Sequence, residues 1–328
     1  MELPNYSDVQ AAASRLAGHV VRTPLIESQI LNERLGARVF LKAECLQHTG
    51  SFKFRGAFNA LKKLKASDGN GKVVAMSSGN HAQGVAEAAR LLGFSSTIVM
   101  PADAPAIKQA RTKRSGAEVV TYDRYTQDRE EVARQVAEDV RAPIIHPYDD
   151  PDVISGQGTA GLESVQQLEE LGLGCDRVLV CAGGGGLMTG IMLAMKHHFP
   201  NVSIHPVEPV GYDDHAQSIE TGKRCSVDTS RPSICDAILA PAPGKLAFEL
   251  GKGNLAPGLV ISDDDALAAV AFAFNELKIV VEPGGAAALA ALLTGKIDVS
   301  GETVVATLSG GNIDQAMLRR ALDAQGGT

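Results

Sequence analysis

Arg177-Val178-Leu179-Val180-Cys181-Ala182-Gly183-Gly184-Gly185-Gly186-Leu187 decides the fold class of this 328-residue chain. Arg177–Val180 is short and β-branched and reads as a strand, and Leu187–His197 reads as a helix. Four consecutive glycines between them let successive backbone N–H groups converge on one point, and the helix N-terminus adds its partial positive charge. The run is a phosphate cradle without side-chain charge. No G-x-G-x-x-G register fits it and no Gly-Lys-Ser/Thr follows, so it is neither a dinucleotide fingerprint nor a P-loop. A tight strand-to-helix turn needs only one glycine.

Outward from this unit, β-branched runs alternate with helical patterns along most of the chain. Val39–Lys42, Val73–Met76, Thr97–Met100, Glu118–Tyr122, Val202–Val207 and Val304–Leu308 read as further strands. Val85, Ala88, Ala89 and Leu92 fall at helical spacing, with Gly93 as a C-cap. Such alternation implies an α/β fold with mostly parallel, doubly wound sheets, which bind ligands at the carboxyl ends of their strands. Prolines, aspartates and Tyr148 cluster at Ala142–Pro151 and mark a change in character. The expected division is a large domain from 1–69 and 148–328, with a small domain from 70–147 inserted in it.

Composition narrows the function classes. Net charge is −7 and no basic run stands out, which argues against a nucleic-acid partner. The most apolar stretches, Ala266–Phe274 and Gly284–Leu293, are too short to span a bilayer. Met1–Gln10 has no basic region followed by an apolar run, so no secretory signal and a cytoplasmic location are expected. The five cysteines include no C-x-x-C pair, and a disulfide framework or zinc site is not expected.

Three other segments carry chemistry. Ser51-Phe52-Lys53-Phe54-Arg55-Gly56-Ala57 puts Lys53 at the start of an amphipathic helix. A lysine held there, neutral through burial, suits covalent attachment to a carbonyl. Ser77-Ser78-Gly79-Asn80-His81 follows a strand and opens a helix, which suits a carboxylate at a helix N-terminus. Ser309-Gly310-Gly311-Asn312 follows the last strand, where a hydroxyl partner would leave a pyridine nitrogen largely neutral.

Together these segments resemble the fold-type II pyridoxal-phosphate enzymes, related in architecture to the tryptophan synthase β subunit. The threonine/serine dehydratase and serine racemase group is the nearest in character. The resemblance runs from Thr23-Pro24-Leu25 through Lys42–Glu44, Ser51–Leu61, Ser77–Gly84, Gly156-Gln157-Gly158-Thr159 and Gly183–Gly186 to Glu282-Pro283 and Ser309–Asn312. It implies two parallel-sheet domains with pyridoxal phosphate in the cleft, and a homodimer acting on a small amino acid. Lys53 would anchor the cofactor, and Gly183, Gly184, Gly185 and Gly186 would hold its phosphate. Asn80 would meet the ring hydroxyl, Ser309 the ring nitrogen, and Phe52 would pack by the ring. Ser77, Ser78, Gly79, Asn80 and His81 would bind the substrate carboxylate.

The same resemblance narrows the branch. Serine racemases and 3-hydroxyaspartate dehydratases have serine at the position of Ser78, which would act as a second acid/base opposite Lys53. In Glu208-Pro209-Val210-Gly211-Tyr212-Asp213-Asp214, the resemblance implies a divalent cation bound by Glu208, the backbone carbonyl of Tyr212, and Asp214. All-oxygen ligands favour Mg²⁺, with Ca²⁺ or Mn²⁺ as alternatives, over zinc. Where the group reads Ala-Asp-Gly, this chain has Cys235-Asp236-Ala237-Ile238-Leu239-Ala240-Pro241, a departure that points away from plain threonine or serine specificity. Arg129 matches a substrate-proximal arginine of the racemase, with Arg124 and His146 as neighbouring candidates. A second substrate carboxylate would need such a cation.

The expected activity is therefore that of a pyridoxal-phosphate-dependent lyase. It dehydrates a β-hydroxy amino acid to a 2-oxo acid plus ammonia, with a leaning to 3-hydroxyaspartate, and threonine or serine as the other substrates. Amino-acid racemisation is the competing reading within the family. A nucleotide-dependent dehydrogenase and an inert cofactor-binding protein are the competing readings outside it. The chain ends soon after Ser309, so the regulatory domain of biosynthetic threonine dehydratases is not expected.

Overall fold

A computed structural model describes residues 2–67, 70–104 and 106–325. It contains two sheets. The larger has the order β1-β2-β9-β6-β7-β8 and the smaller β3-β4-β5. The larger sheet comprises β1 (Leu25–Glu27), β2 (Arg38–Lys42), β6 (Arg177–Cys181), β7 (Ser203–Pro209), β8 (Leu259–Ile261) and β9 (Thr303–Thr307). The smaller comprises β3 (Lys72–Met76), β4 (Ser95–Pro101) and β5 (Glu118–Tyr122).

All neighbours are parallel except β1, which pairs antiparallel with β2 at the edge. The register sets Val39 beside Val304, Val178 beside Ile204 and Ile98 beside Val119. The seven strands read from β-branched runs all form, with no end shifted by more than two residues. β1 and β8 were not expected; three residues at a sheet edge are too few to show a period.

Strand composition explains the parallel sheets. Four consecutive residues are buried in each of β2, β6 and β9, as required where helices cover both faces. The core is aliphatic, and the helix Ala287–Leu293 within it is buried throughout. Two helix crossings depend on glycine. A methyl on Gly156 would lie 2.7 Å from the Arg55 carbonyl oxygen, and one on Gly158 would lie 2.7 Å from that of Gly190. The Gly156–Thr159 motif therefore lets the helix Pro151–Glu170 press against the helices Lys53–Ala66 and Gly186–His198.

Chain order bears on the expected domains. The smaller sheet and its helices lie within the interval assigned to the small domain. Ile144 adds a bridge to Val74 before the chain returns to the larger sheet. The break expected between residues 69 and 70 falls beside residues 68–69, which lie outside the described residues.

Lys42 and Glu44 are structural. Arg55 and Glu44 are both fully buried, and two guanidinium N–H groups reach the carboxylate at 2.7 and 2.8 Å. The same guanidinium reaches Glu163 at 2.7 and 2.8 Å, and Lys42 adds a second cation at 2.8 Å from Glu163. Thr23 donates its hydroxyl to Glu44 at 2.5 Å. Partners at these distances offset the cost of taking such charges out of water. The cluster fixes the helix of Lys53 to β2 and to the helix Pro151–Glu170. Among the described residues no helix is long and apolar enough to cross a membrane.

Candidate active site

A cavity of about 320 Å³ lies at the carboxyl ends of β3 and β6. Phe52, Lys53, the turn Ser77–His81 and all four residues of Gly183–Gly186 line it. Segments far apart in sequence therefore meet as the strand-end rule requires.

Two helices point uncapped N-termini into this space. The helix Gly186–His198 begins after Gly185 with no side-chain cap, and the helix Asn80–Leu92 begins after Gly79 in the same way. The first-turn N–H groups of both are left for a ligand, and both dipoles favour an anion. The tetraglycine loop is tightly fitted from behind. Gly185 has φ +89°, and a methyl there would lie 2.6 Å from His215 Cε1. Methyls on Gly183 and Gly186 would lie 3.0 Å from Ile238 Cα and 2.8 Å from Gln157 Oε1. One on Gly184 would enter the ring of Tyr148. The amide of Gln157 beside Gly186 is buried with neither polar atom partnered. A backbone cradle with an orphaned amide at its side fits a phosphate ester.

Lys53 occupies the first position of its helix. Its ammonium donates to the Pro147 carbonyl at 2.8 Å and lies 5.0 Å from the centroid of the Phe52 ring. Burial pulls its pKa down to about 8, so a substantial fraction is neutral near physiological pH. Ser309 is buried, and its carbonyl accepts from the Phe52 N–H at 3.1 Å. Ser309 is not itself among the residues that line the cavity, whereas Cys181 is.

The Ser77–His81 turn is held from several sides. Ser77 Oγ accepts from the Gly79 N–H at 3.1 Å. Asn80 donates to Glu282 Oε1 at 2.5 Å, and its own oxygen accepts from Asn312 at 2.7 Å. His81 pairs through Nε2 with the Ile145 carbonyl at 2.8 Å, while Nδ1 is buried without a partner. Burial lowers its pKa to about 3, so the ring is neutral with the proton on Nε2. Ser78 lines the cavity alongside Lys53.

The arginines divide differently from the sequence expectation. Arg129 lines the cavity from the exposed start of the helix Arg129–Val140. Arg124 also lines it, but its guanidinium is paired with Asp103 at 2.8 Å. His146 turns to the backbone, where Nδ1 accepts from the Asp149 N–H at 2.8 Å. Arg111 was not named from sequence, and Tyr148, Glu282 and Asn312 were named only within motifs and given no role of their own; all four line the cavity. Arg111 sits on a short, strongly basic helix, Ala106–Arg114, where nothing local separates it from surface cations. The departing segment Asp236–Pro241 forms another part of the wall.

Glu208, Asp214 and His215 form a second cluster, their ligand atoms within 4.8 Å of one another. Glu208 is fully buried and accepts the N–H groups of His215 and Ala216 at 2.8 and 2.9 Å. Burial, then the neighbouring Asp214 carboxylate, raises its pKa well above the usual range. Asp214 is pushed up to about 8, chiefly by burial, and its Oδ2 has no partner. An orphaned carboxylate oxygen beside a second buried carboxylate fits a hard divalent cation. His215 reaches the Gly183 carbonyl through Nε2 at 2.8 Å, joining this cluster to the tetraglycine loop. The hydroxyl of Tyr212 points elsewhere, donating to the carbonyls of Thr229 and Arg231 at 3.0 and 2.7 Å.

A lysine-bearing cavity with a backbone phosphate cradle agrees with the family comparison. The description "Pyridoxal-phosphate dependent enzyme" matches residues 16–310, and the chain belongs to that family. The nucleotide-dehydrogenase reading of the glycine loop is thereby set aside. The chain is 44% identical to an L-threo-3-hydroxyaspartate ammonia-lyase of Pseudomonas sp over 314 residues, covering 96% of this chain and 97% of that protein. It is 39% identical to a serine racemase of Schizosaccharomyces pombe, with 95% of each chain covered. Among solved structures it is similar to maize serine racemase, with a TM-score of 0.90 and 35% identity over 99% of this chain and 98% of that one.

Proposed function

We propose that this protein is a pyridoxal-phosphate-dependent ammonia-lyase that converts a β-hydroxy amino acid to a 2-oxo acid and ammonia. The preferred substrate in this reading is 3-hydroxyaspartate, giving oxaloacetate, with serine and threonine as poorer substrates. The observation that carries it is the convergence of Lys53, its pKa pulled down to about 8, with two uncapped helix N-termini in one cavity. One N-terminus suits a phosphate and the other a substrate carboxylate.

Gly183, Gly184, Gly185 and Gly186 hold the cofactor phosphate through backbone N–H groups. Phe52 would pack beside the ring, with Asn80 toward its hydroxyl and Ser309 toward its nitrogen. The bound cofactor supplies an electron sink for negative charge at the α-carbon. Ser77, Ser78, Gly79, Asn80 and His81 take the substrate α-carboxylate, and Arg129 adds positive potential at the cavity mouth. Lys53 would be the residue that anchors the cofactor, and its amine would be the base for the α-proton. Ser78 is the second group able to move a proton there. Water leaves from the β-carbon, and one water is consumed as ammonia departs, so the net change is loss of ammonia.

Glu208, Asp214 and the Tyr212 carbonyl hold Mg²⁺, or Ca²⁺ or Mn²⁺, in a supporting role. The two sheets are taken as the cores of the two domains divided near residues 70 and 147, with the substrate entering between them. A cytoplasmic homodimer completes the proposal; five unpaired cysteines accord with a reducing compartment.

Racemisation is the second reading, favoured by Lys53 and Ser78 lining the same cavity. Purified holoenzyme is incubated with L-serine, L-threonine and the 3-hydroxyaspartate isomers, assaying 2-oxo acid, ammonia and both enantiomers. Oxaloacetate and ammonia in equal amounts from 3-hydroxyaspartate are expected. Abundant D-serine with little oxo acid would replace the lyase reading.

A further inference from the structure

We infer that Arg111 is the specificity-determining residue for a second, side-chain carboxylate on the substrate; the inference rests on the lyase reading above. Three arginines line the cavity, and their circumstances differ. Arg124 already has its ion partner in Asp103 at 2.8 Å. Arg129 is exposed on a helix start among Asp128, Glu130 and Glu131. Arg111 is half-buried, and its one hydrogen bond to a described residue is a 3.4 Å contact from Nη1 to the neutral side-chain oxygen of Asn312. No described carboxylate pairs with it. A planar donor fork so placed can take a carboxylate in two-point fashion.

Its position relative to the carboxylate-binding turn gives the substrate class. Asn312 donates to Asn80 at 2.7 Å, and Asn80 belongs to the turn assigned to the α-carboxylate. Arg111 therefore lies two hydrogen bonds from that turn. This matches an amino acid with one carboxylate at each end of a short chain. Serine and threonine have nothing to offer this guanidinium. The acidic residues on the same cavity, Asp236 and Glu282, are both engaged in interactions of their own. Arg111 and the Ser77–His81 turn both come from the smaller-sheet half, so both ends of such a substrate are held from one side of the cavity, with Asn312 of the larger-sheet half linking the two by hydrogen bonds.

The test compares wild-type holoenzyme with Arg111→Met and Arg111→Lys. Loss of a charge-assisted pair predicts that the ratio of kcat/KM for L-threo-3-hydroxyaspartate to that for L-serine falls about 100-fold in Arg111→Met. The change resides in KM for the dicarboxylate, and Arg111→Lys recovers part of it. Succinate, used as a non-reacting probe, raises the thermal midpoint of the wild type and not of Arg111→Met. An unchanged ratio, whether both activities fall or neither does, overturns the assignment. So does a wild type that dehydrates serine but not hydroxyaspartate, which leaves the lyase reading standing. A wild type inactive on every β-hydroxy amino acid removes both.

Discussion

Asn80, in the first turn of its helix, donates its side-chain amide to Glu282 Oε1 at 2.5 Å, while Asn312 donates to its oxygen at 2.7 Å. The amide is therefore locked in one orientation by two residues from the other sheet's half of the chain. Glu282→Ala frees it. Loss of a hydrogen bond to a charged group corresponds to about 10–100-fold in affinity. We expect the Kd for pyridoxal phosphate, from absorbance titration of apoprotein, to weaken by that factor. Glu282→Gln retains an acceptor and should keep most of the affinity. Equal Kd values for all three proteins would deny Asn80 a part in holding the ring.

Lys53, with its pKa near 8, should capture the cofactor in a pH-dependent way. Below that pH the amine is protonated and cannot attack; above it the amine is neutral. Apoprotein mixed with pyridoxal phosphate, reduced with borohydride and weighed intact should show labelling at residue 53 that rises with a midpoint near pH 8. A midpoint near 10.5, as for a solvated lysine, would mean that burial does not tune this group. Because the unfolded chain holds this proton up to the ordinary lysine pKa, the contribution of Lys53 to stability rises with pH between these two values.

Arg55 joins the buried Glu44 carboxylate to the partly buried Glu163. Arg55→Met leaves Glu44 without its bidentate partner in a fully buried position. Breaking a buried pair in this way costs about 3–5 kcal/mol. Calorimetry should report a loss of stability of that order, seen as a lower Tm, and the double variant with Glu44→Gln should recover part of it. A single-variant loss below about 1 kcal/mol, the ordinary value for an exposed pair, would contradict the account.

Cation removal should act on stability. A bound cation at about 100 times its Kd adds about 2.7 kcal/mol to folding. Chelation of the holoenzyme should lower Tm by several degrees, and added Mg²⁺ should restore it. Asp214→Asn removes one of the two carboxylate ligands, so its Tm should respond far less to both treatments. A wild type indifferent to chelator would assign Glu208 and Asp214 a shared proton instead of a metal.

The parts legible in sequence were local ones. The tetraglycine run between a strand and a helix declares its geometry within eleven residues, and Lys53 declares itself by its place at a helix start. Seven strands were legible because parallel strands buried on both faces are written as unbroken β-branched runs. β1 and β8 were not, since three residues carry no period. The arginines could not be ranked, because an arginine on a basic helix looks the same whether its guanidinium meets water or a ligand.

Sequence alone therefore singled out the candidate groups, which are a lysine at a helix start, a glycine run after a strand, the Ser77–His81 turn and the acidic pair Glu208 and Asp214, each by its neighbours in the chain. Tertiary structure decided which distant groups serve them. It gave Asn80 its orientation from Glu282 and Asn312, enclosed Glu44 with Arg55, placed Tyr148 against Gly184, and set Arg111 on the cavity wall with no ion partner among the described residues. Those relationships depend on burial and on contacts between residues up to 232 positions apart. No local pattern encodes them, because side-chain partners across a parallel sheet are set by packing and not by spacing.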